Sequence, residues 1–142
     1  MIRAVLDTNV FVSAVINPKG VPARILNAWR DDQFQLLMSE PILNEIAAVL
    51  RYPKTRRRHQ WSEQQIDTFL EDLAHLAIIL SPKQPVTVVV EDPPDNRYLE
   101  CAAEGQAECL VSGDQHLLKV KTWQGISILT PAGFLALLQS QA

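Results

Sequence analysis

The chain has 142 residues, 47% hydrophobic and 20% charged, with two cysteines and a net charge of -3. These figures exclude a disordered polar chain, a disulfide framework and a protein that grips nucleic acid through overall positive charge. They leave one domain, able to bury roughly two-thirds of its unfolded surface. No run reaches the ~18 consecutive apolar residues of a bilayer span. Asp7 and Asn9 interrupt the apolar N-terminal stretch, and no small-residue cleavage site follows. The expectation is a cytoplasmic protein with no membrane association, in which Cys101 and Cys109 are reduced thiols.

In chain order, Ile2–Leu6 reads as a buried first strand that ends in the polar turn Asp7-Thr8-Asn9. Val10–Ile16 is apolar and stops at Asn17-Pro18-Lys19-Gly20. Pro22–Arg30 carries an apolar stripe of Ala23, Ile25, Leu26 and Trp29 and reads as helix. Gln35–Met38 is a short strand. Ser39-Glu40-Pro41 opens a helix that runs to Arg51, with Ile42, Leu43, Ile46, Ala47 and Leu50 at helical spacing. Ser62 and Gln65 have the form of a capping box for a helix to about Ala74. Ile78–Leu80 fits either the end of that helix or a strand.

Val86–Val90 is β-branched and predicts a strand that leads into Glu91-Asp92-Pro93-Pro94-Asp95-Asn96. Asp95 can cap a helix from Arg97 to about Glu104, with Gly105 as the stop. Cys109–Ser112 and Ile126–Leu129 are further strands. Thr130-Pro131 starts a closing helix, Ala132–Leu138. Alternating strands and helices predict an α/β fold, a mostly parallel sheet covered by helices on both faces. No repeat or linker divides the chain, so residues 1–142 read as a single domain.

Charge is segregated. Residues 51–59 hold five of the 13 basic residues (Arg51, Lys54, Arg56, Arg57 and Arg58) and no acid, whereas the remainder carries 8 basic against 16 acidic residues. Such a segment can neutralise phosphates and steer a polyanion, with Tyr52 and Trp61 placed to stack on bases. The plain alternative is a solvated loop or a docking surface for an acidic protein. His75, in an apolar helical setting, reads as structural.

The acids carry the chemistry. Asp7 and Asp114 each follow a predicted strand, and Asp95 follows another by a short turn. In a parallel sheet the carboxyl ends of strands share one edge, where ligands bind. Glu45, at the border of its helix's apolar stripe, can face the same cleft. Converging carboxylates repel unless a cation neutralises them, and an all-oxygen donor set suits Mg²⁺ or Mn²⁺. Such ions activate water and stabilise an in-line phosphodiester displacement. Thr8, Asn9 and Ser112 are small polar neighbours able to orient carboxylates. Taken singly, each acid also fits a turn, a cap or a solvated helix position; Asp92 before Pro93 reads as a turn residue.

Four stretches in order carry a resemblance: L-D-T-N-V-F-V-S-A at 6–14, S-E-P-I-L-N-E-I at 39–46, E-D-P-P-D-N-R-Y-L-E-C-A at 91–102 and L-V-S-G-D-Q-H-L-L at 110–118. The chain resembles the PIN-domain nucleases, most closely the bacterial toxins of toxin–antitoxin pairs. The resemblance implies a doubly wound α/β fold and cleavage of single-stranded RNA with one or two Mg²⁺ or Mn²⁺ ions. It further implies an acidic quartet at Asp7, Glu45, Asp95 and Asp114, with Thr8 or Asn9 and Ser112 in support. A homodimer and a cognate antitoxin are also implied. Many relatives carry a further acid where this chain has His116, which bears on the number of ions and on Mg²⁺ against Mn²⁺.

The expected mechanism is hydrolysis by metal-activated water, with Asp7, Asp95 and Asp114 as ligands and Glu45 completing the site or positioning the water. Two rivals stand beside it. One is another Mg²⁺-dependent phosphoryl-transfer protein, against which Asp7-Thr8-Asn9 counts because a phosphatase would normally show Asp-x-Asp. The other is a non-catalytic module of the same fold that docks RNA or an antitoxin.

Overall fold

A computed structural model of the chain describes residues 1–83, 85 and 95–141. Its first strand, β1 (Arg3–Leu6), runs straight into α1 (Thr8–Ile16) and α2 (Val21–Arg30) before β2 (Gln35–Ser39). Three helices follow: α3 (Glu40–Arg51), α4 (Pro53–His59) and α5 (Glu63–Leu76). The chain then forms β3 (Ile78–Leu80), α6 (Asn96–Glu104), β4 (Cys109–Val111), α7 (Gln115–Leu118), β5 (Thr122–Trp123), β6 (Ile126–Leu129) and α8 (Pro131–Ser140).

The strands join into one sheet of order β3-β2-β1-β4-β6-β5. Every pairing is parallel except β5 with β6. β1 and β4 pair in register, Val5 with Leu110 and Leu6 with Val111. The last three residues of β1 and all of β4 are buried. A strand buried on both sides of its pleat needs helices over both faces, as in a doubly wound α/β sheet. The order has a functional consequence. The chain builds outward from β1 through β2 to β3, then returns to the other side of β1 for β4. Strand order therefore reverses between β1 and β4, where crevices open at the carboxyl ends of parallel strands.

Helix α3 follows its sequence pattern closely. Ile42, Ile46 and Leu50, four apart, are fully buried, and proline stands in its first turn. The capping box of α5 is formed, with Gln65 N–H on Ser62 Oγ at 3.1 Å and Ser62 N–H on Gln65 Oε1 at 2.8 Å. Phe34 and Phe134 meet edge-to-face at 5.0 Å and tie α8 to the core.

Several elements differ from the sequence reading. Thr8–Ile16 is a helix although Val10, Val12, Val15 and Ile16 are β-branched. The Asp7 carboxylate caps it, and burial of Val10, Phe11, Val12, Ala14 and Val15 outweighs weak propensity. Ile78–Leu80 is the edge strand, paired with β2. The basic segment is no loop: Pro53–His59 forms α4, whose helical signal is hidden because it has no buried residue. The short hairpin of β5 and β6 turns at Gln124 and Gly125, both at positive φ (49° and 78°), the turn that matches strand twist. The strand expected at Val86–Val90 and the turn at Glu91–Pro94 lie outside the described residues. Among the described residues no helix is long and apolar enough to cross a membrane.

Leu110 lies at the centre of the sheet with no exposed surface. Leu110→Ala is expected to lower unfolding free energy by about 2–5 kcal/mol, the usual cost of such a cavity. A urea titration checks this: the midpoint should fall with the slope unchanged.

Candidate functional site

The site starts from the turn after β1. The Asp7 amide donates to Val111 O at 2.9 Å, continuing the β1–β4 ladder one residue past β1. This places the Asp7 side chain, only 3% exposed, at the end of the β1–β4 seam. Its Oδ1 accepts the Asn9 N–H at 2.9 Å and its Oδ2 accepts the Ser112 hydroxyl at 2.6 Å. The same Ser112 oxygen accepts the Asp114 N–H at 2.9 Å. Asp114 in turn caps α7, taking the His116 N–H on Oδ1 at 2.7 Å. Thus one buried hydroxyl links the two acids that end β1 and β4.

Glu45 reaches the same edge from the middle of α3. Its Oε1 lies 3.0 Å from the Tyr98 hydroxyl, and its Oε2 is ion-paired with the Arg97 guanidinium. The Tyr98 oxygen also lies 2.9 Å from Thr8 Oγ1 and accepts the Thr8 N–H at 3.3 Å. Having one proton, it donates to either Glu45 or Thr8 at a time. Thr8 is therefore drawn into the site, whereas Asn9 contributes its backbone N–H while its side chain is exposed. Asp95, 9% exposed, holds the N-cap position of α6, but its side chain makes no capping hydrogen bond to the first turn. The capping role read from sequence does not account for it.

The electrostatics follow from this burial. Desolvation raises the Asp7 pKa above the ordinary carboxylate value. The hydrogen bonds from Ser112 and Asn9 oppose the rise, and the charges of Glu45 and Asp114 add to it. Asp7 thus feels both other acids across the cleft. Burial, followed by the charge of Asp7, pushes the Tyr98 phenol far above its usual range, so it stays a proton donor. His116 stands beside Asp114, its Nδ1 3.7 Å from Oδ1.

Among the described residues no three His, Cys, Asp or Glu side chains are grouped to hold an ion. Glu45 is occupied by Arg97 and Tyr98, and Asp114 by the start of α7. The donor chemistry nevertheless fits a hard divalent cation. The acids at this edge offer carboxylate oxygens, and the buried Asp7, raised in pKa first by desolvation and then by the charges of Glu45 and Asp114, is a carboxylate whose charge a cation would stabilise.

Other residues singled out from sequence lie elsewhere. Arg51 pairs with Glu63 at 2.6 Å and Asp67 at 2.7 Å, and Arg56 also pairs with Glu63. These pairs dock the basic segment onto α5. Lys54, Arg57 and Arg58 are exposed. Trp61 packs edge-on against Phe69 at 5.6 Å and near His59, so its ring is part of the packing and not a free stacking platform. Tyr52 is 55% exposed. His75 is exposed and bonds its own helix at Glu71 O. Cys101 and Cys109 are buried free thiols. Arg97 and Tyr98, two and three residues after Asp95 in sequence, join the site without a motif of their own. The available signal was a tyrosine among the apolar positions of α6, since a buried phenol requires a polar partner.

The comparisons fit this geometry. The PIN domain family profile matches residues 3–116. The chain is 32% identical over 120 residues to "Uncharacterized protein MJ1680" of Methanocaldococcus jannaschii, covering 84% of this chain and 76% of that protein. Its fold is similar to a chain in the crystal structure of VapBC2 from Rickettsia felis bound to a DNA fragment from their promoter. There the TM-score is 0.60 at 14% identity, over 91% of this chain and 98% of the other.

Two outcomes follow for the site. Because the folded pKa of Asp7 is raised, the folded state holds its proton more tightly than the unfolded state. Stability attributable to Asp7 is then greatest at low pH and falls as pH rises through the unfolded and then the folded pKa. In EDTA, Asp7→Asn should melt above wild type at pH 7, and the gap should close near pH 3; thermal melts across that range decide it. Tyr98→Phe keeps the ring and removes the hydroxyl, and should lower stability by about 1 kcal/mol, the net value of such a bond. Urea denaturation measures it, and an unchanged midpoint would show that the hydroxyl holds nothing.

Proposed function

This chain belongs to the PIN-domain family, and from that premise we propose that it is a divalent-metal-dependent endoribonuclease acting on single-stranded RNA. The observation that carries the reading is the buried Asp7 carboxylate, fixed by Ser112 and raised in pKa by burial, to which the charges of Glu45 and Asp114 add. A carboxylate kept desolvated beside two others costs stability, and that cost is met where a site has charge to bind.

Asp7, Asp95 and Asp114 would hold one or two ions, with Glu45 completing the set. Bound Mg²⁺ or Mn²⁺ would supply charge neutralisation and water activation for in-line displacement at phosphorus. The chain's own residues do the positioning. Ser112 orients Asp7 and the Asp114 backbone, and Tyr98 orients Glu45 against Thr8. Glu45, with its side chain 30% exposed, is suited to direct the attacking water. His116, beside Asp114, supplies an imidazole nitrogen in place of a further carboxylate, which favours Mn²⁺ over Mg²⁺. Lys54, Arg57 and Arg58 are exposed and, unlike Arg51 and Arg56, form no ion pair among the described residues; they are basic side chains open to RNA phosphates.

The proposed biological setting is the toxin side of a toxin–antitoxin pair, with an antitoxin protein as partner. The family resemblance supports it, and so does the likeness in fold to a chain of VapBC2. A homodimer is carried by the resemblance, and a cytoplasmic site of action by the two free thiols, Cys101 and Cys109.

Purified protein incubated with labelled single-stranded RNA and Mn²⁺ or Mg²⁺ should cleave it, and EDTA should stop cleavage. Asp7→Asn, folded by circular dichroism, should lose at least a hundredfold in rate, the scale of a lost key ligand or its support. Undiminished cleavage by Asp7→Asn would overturn the assignment. Metal-independent RNA binding without cleavage would leave a non-catalytic module of the same fold.

A further inference from the structure

We propose that Arg97 is a substrate-binding residue of this site, held on Glu45 while no divalent ion is bound and released to an RNA phosphate when one is. The inference rests on the metal-dependent reading above and adds a role for a residue outside the acidic group. Both oxygens of Glu45 are engaged, Oε1 by the Tyr98 hydroxyl and Oε2 by the Arg97 guanidinium. An ion that takes Glu45 as a ligand must compete with Arg97 for Oε2. Tyr98 is not displaced as readily: its ring is 2% exposed, and Thr8 also holds its hydroxyl.

Arg97, by contrast, is partly open, with its side chain 31% exposed at the first turn of α6. Its backbone is fixed two residues from Asp95 by a helix packed on β1, β2 and β4, so the guanidinium stays beside the acids whatever it binds. A polyanion approaching an acidic cleft meets repulsion. A planar guanidinium at the rim offers the two parallel donors that match a phosphate. Glu45 thus keeps the arginine in place, and the ion makes it available.

Two readouts test this without relying on turnover. Calorimetric titration with Mn²⁺ alone compares wild type, Arg97→Met, Arg97→Lys and, as a control for net charge, Lys19→Met. Arg97→Met should bind Mn²⁺ about two- to fivefold more tightly, the range that loss of a competing, partly exposed ion pair supplies. Arg97→Lys should lie nearer wild type, and Lys19→Met should match wild type. Anisotropy of a fluorescein-labelled single-stranded RNA, with Ca²⁺ in place of Mn²⁺ to slow cleavage, gives the second readout. There Arg97→Met should flatten the dependence of log affinity on log salt by about 0.7, one phosphate contact on a single strand.

Mn²⁺ affinity in Arg97→Met equal to wild type, or an unchanged salt slope, overturns the role of Arg97 while leaving the metal site standing. Absence of Mn²⁺ binding in wild type and in Arg97→Met alike overturns the metal-dependent reading itself, and this inference with it.

Discussion

The Ser112 hydroxyl is the contact on which the rest of the site depends. It donates to the Asp7 carboxylate at 2.6 Å and accepts the Asp114 amide at 2.9 Å. A hydroxyl has one proton and two lone pairs, so a single oxygen can serve a carboxylate and an N–H together. Its position is set by the sheet. Leu6 pairs with Val111 in parallel register, which puts the residues that follow each strand side by side where strand order reverses. Sheet topology brings Asp7 and Ser112 together across 105 residues of sequence, and the hydroxyl then fixes how the two acids stand.

Burial gives that arrangement its chemical character. An exposed carboxylate at the end of a strand would be screened and ordinary. Asp7 is desolvated, and the donors it receives from Ser112 and Asn9 do not fully offset its burial and its neighbours' charges. The N-terminus of α1 helps to hold it, since unsatisfied amides there favour negative charge. Tyr98 makes the second link. It spans α1 and α3 with a single oxygen, near Thr8 and Glu45, and α6 brings it there by packing across β1, β2 and β4. The acids therefore come from separate elements, while two hydroxyls, those of Ser112 and Tyr98, hold three of them in one field.

Legibility in the sequence tracked how local each signal was. Helices α2, α3 and α5 were readable because their apolar residues recur at helical spacing and their caps are chemically distinct. The helix α1 was not assigned, because its β-branched residues owe their conformation to burial. Helix α4 has no apolar face to detect, and β5 is two residues long. At the site, Asp7, Ser112 and Asp114 could be placed because strand ends in a parallel sheet share an edge. Arg97 and Tyr98 could not, because their partners on α1 and α3 are set by how α6 packs. The same limit explains Trp61, Arg51 and Arg56. Composition marked them as open to nucleic acid, yet Phe69, Glu63 and Asp67 take them into the α3–α5 packing.

The segregation of charge acquires a geometric meaning once α3 is placed. Glu45 sits near the middle of that helix and Arg51 at its end, followed directly by α4. At about 1.5 Å of rise per residue, the basic segment begins roughly 9 Å along the axis from the acidic edge. That separation is close to the Debye length of about 8 Å at physiological ionic strength. The two fields therefore overlap only partly. On the proposed reading, the exposed Lys54, Arg57 and Arg58 would attract a polyanion while leaving the carboxylates to a cation. Had the basic residues been spread over the surface, the acids would be paired and the cleft without a field. Had they lain farther away, contact with α4 would not bring a phosphate near Asp7. Helix α3 sets the distance from Glu45 to the start of the basic segment, and Arg97, paired with Glu45, brings a positive charge to the acidic edge itself.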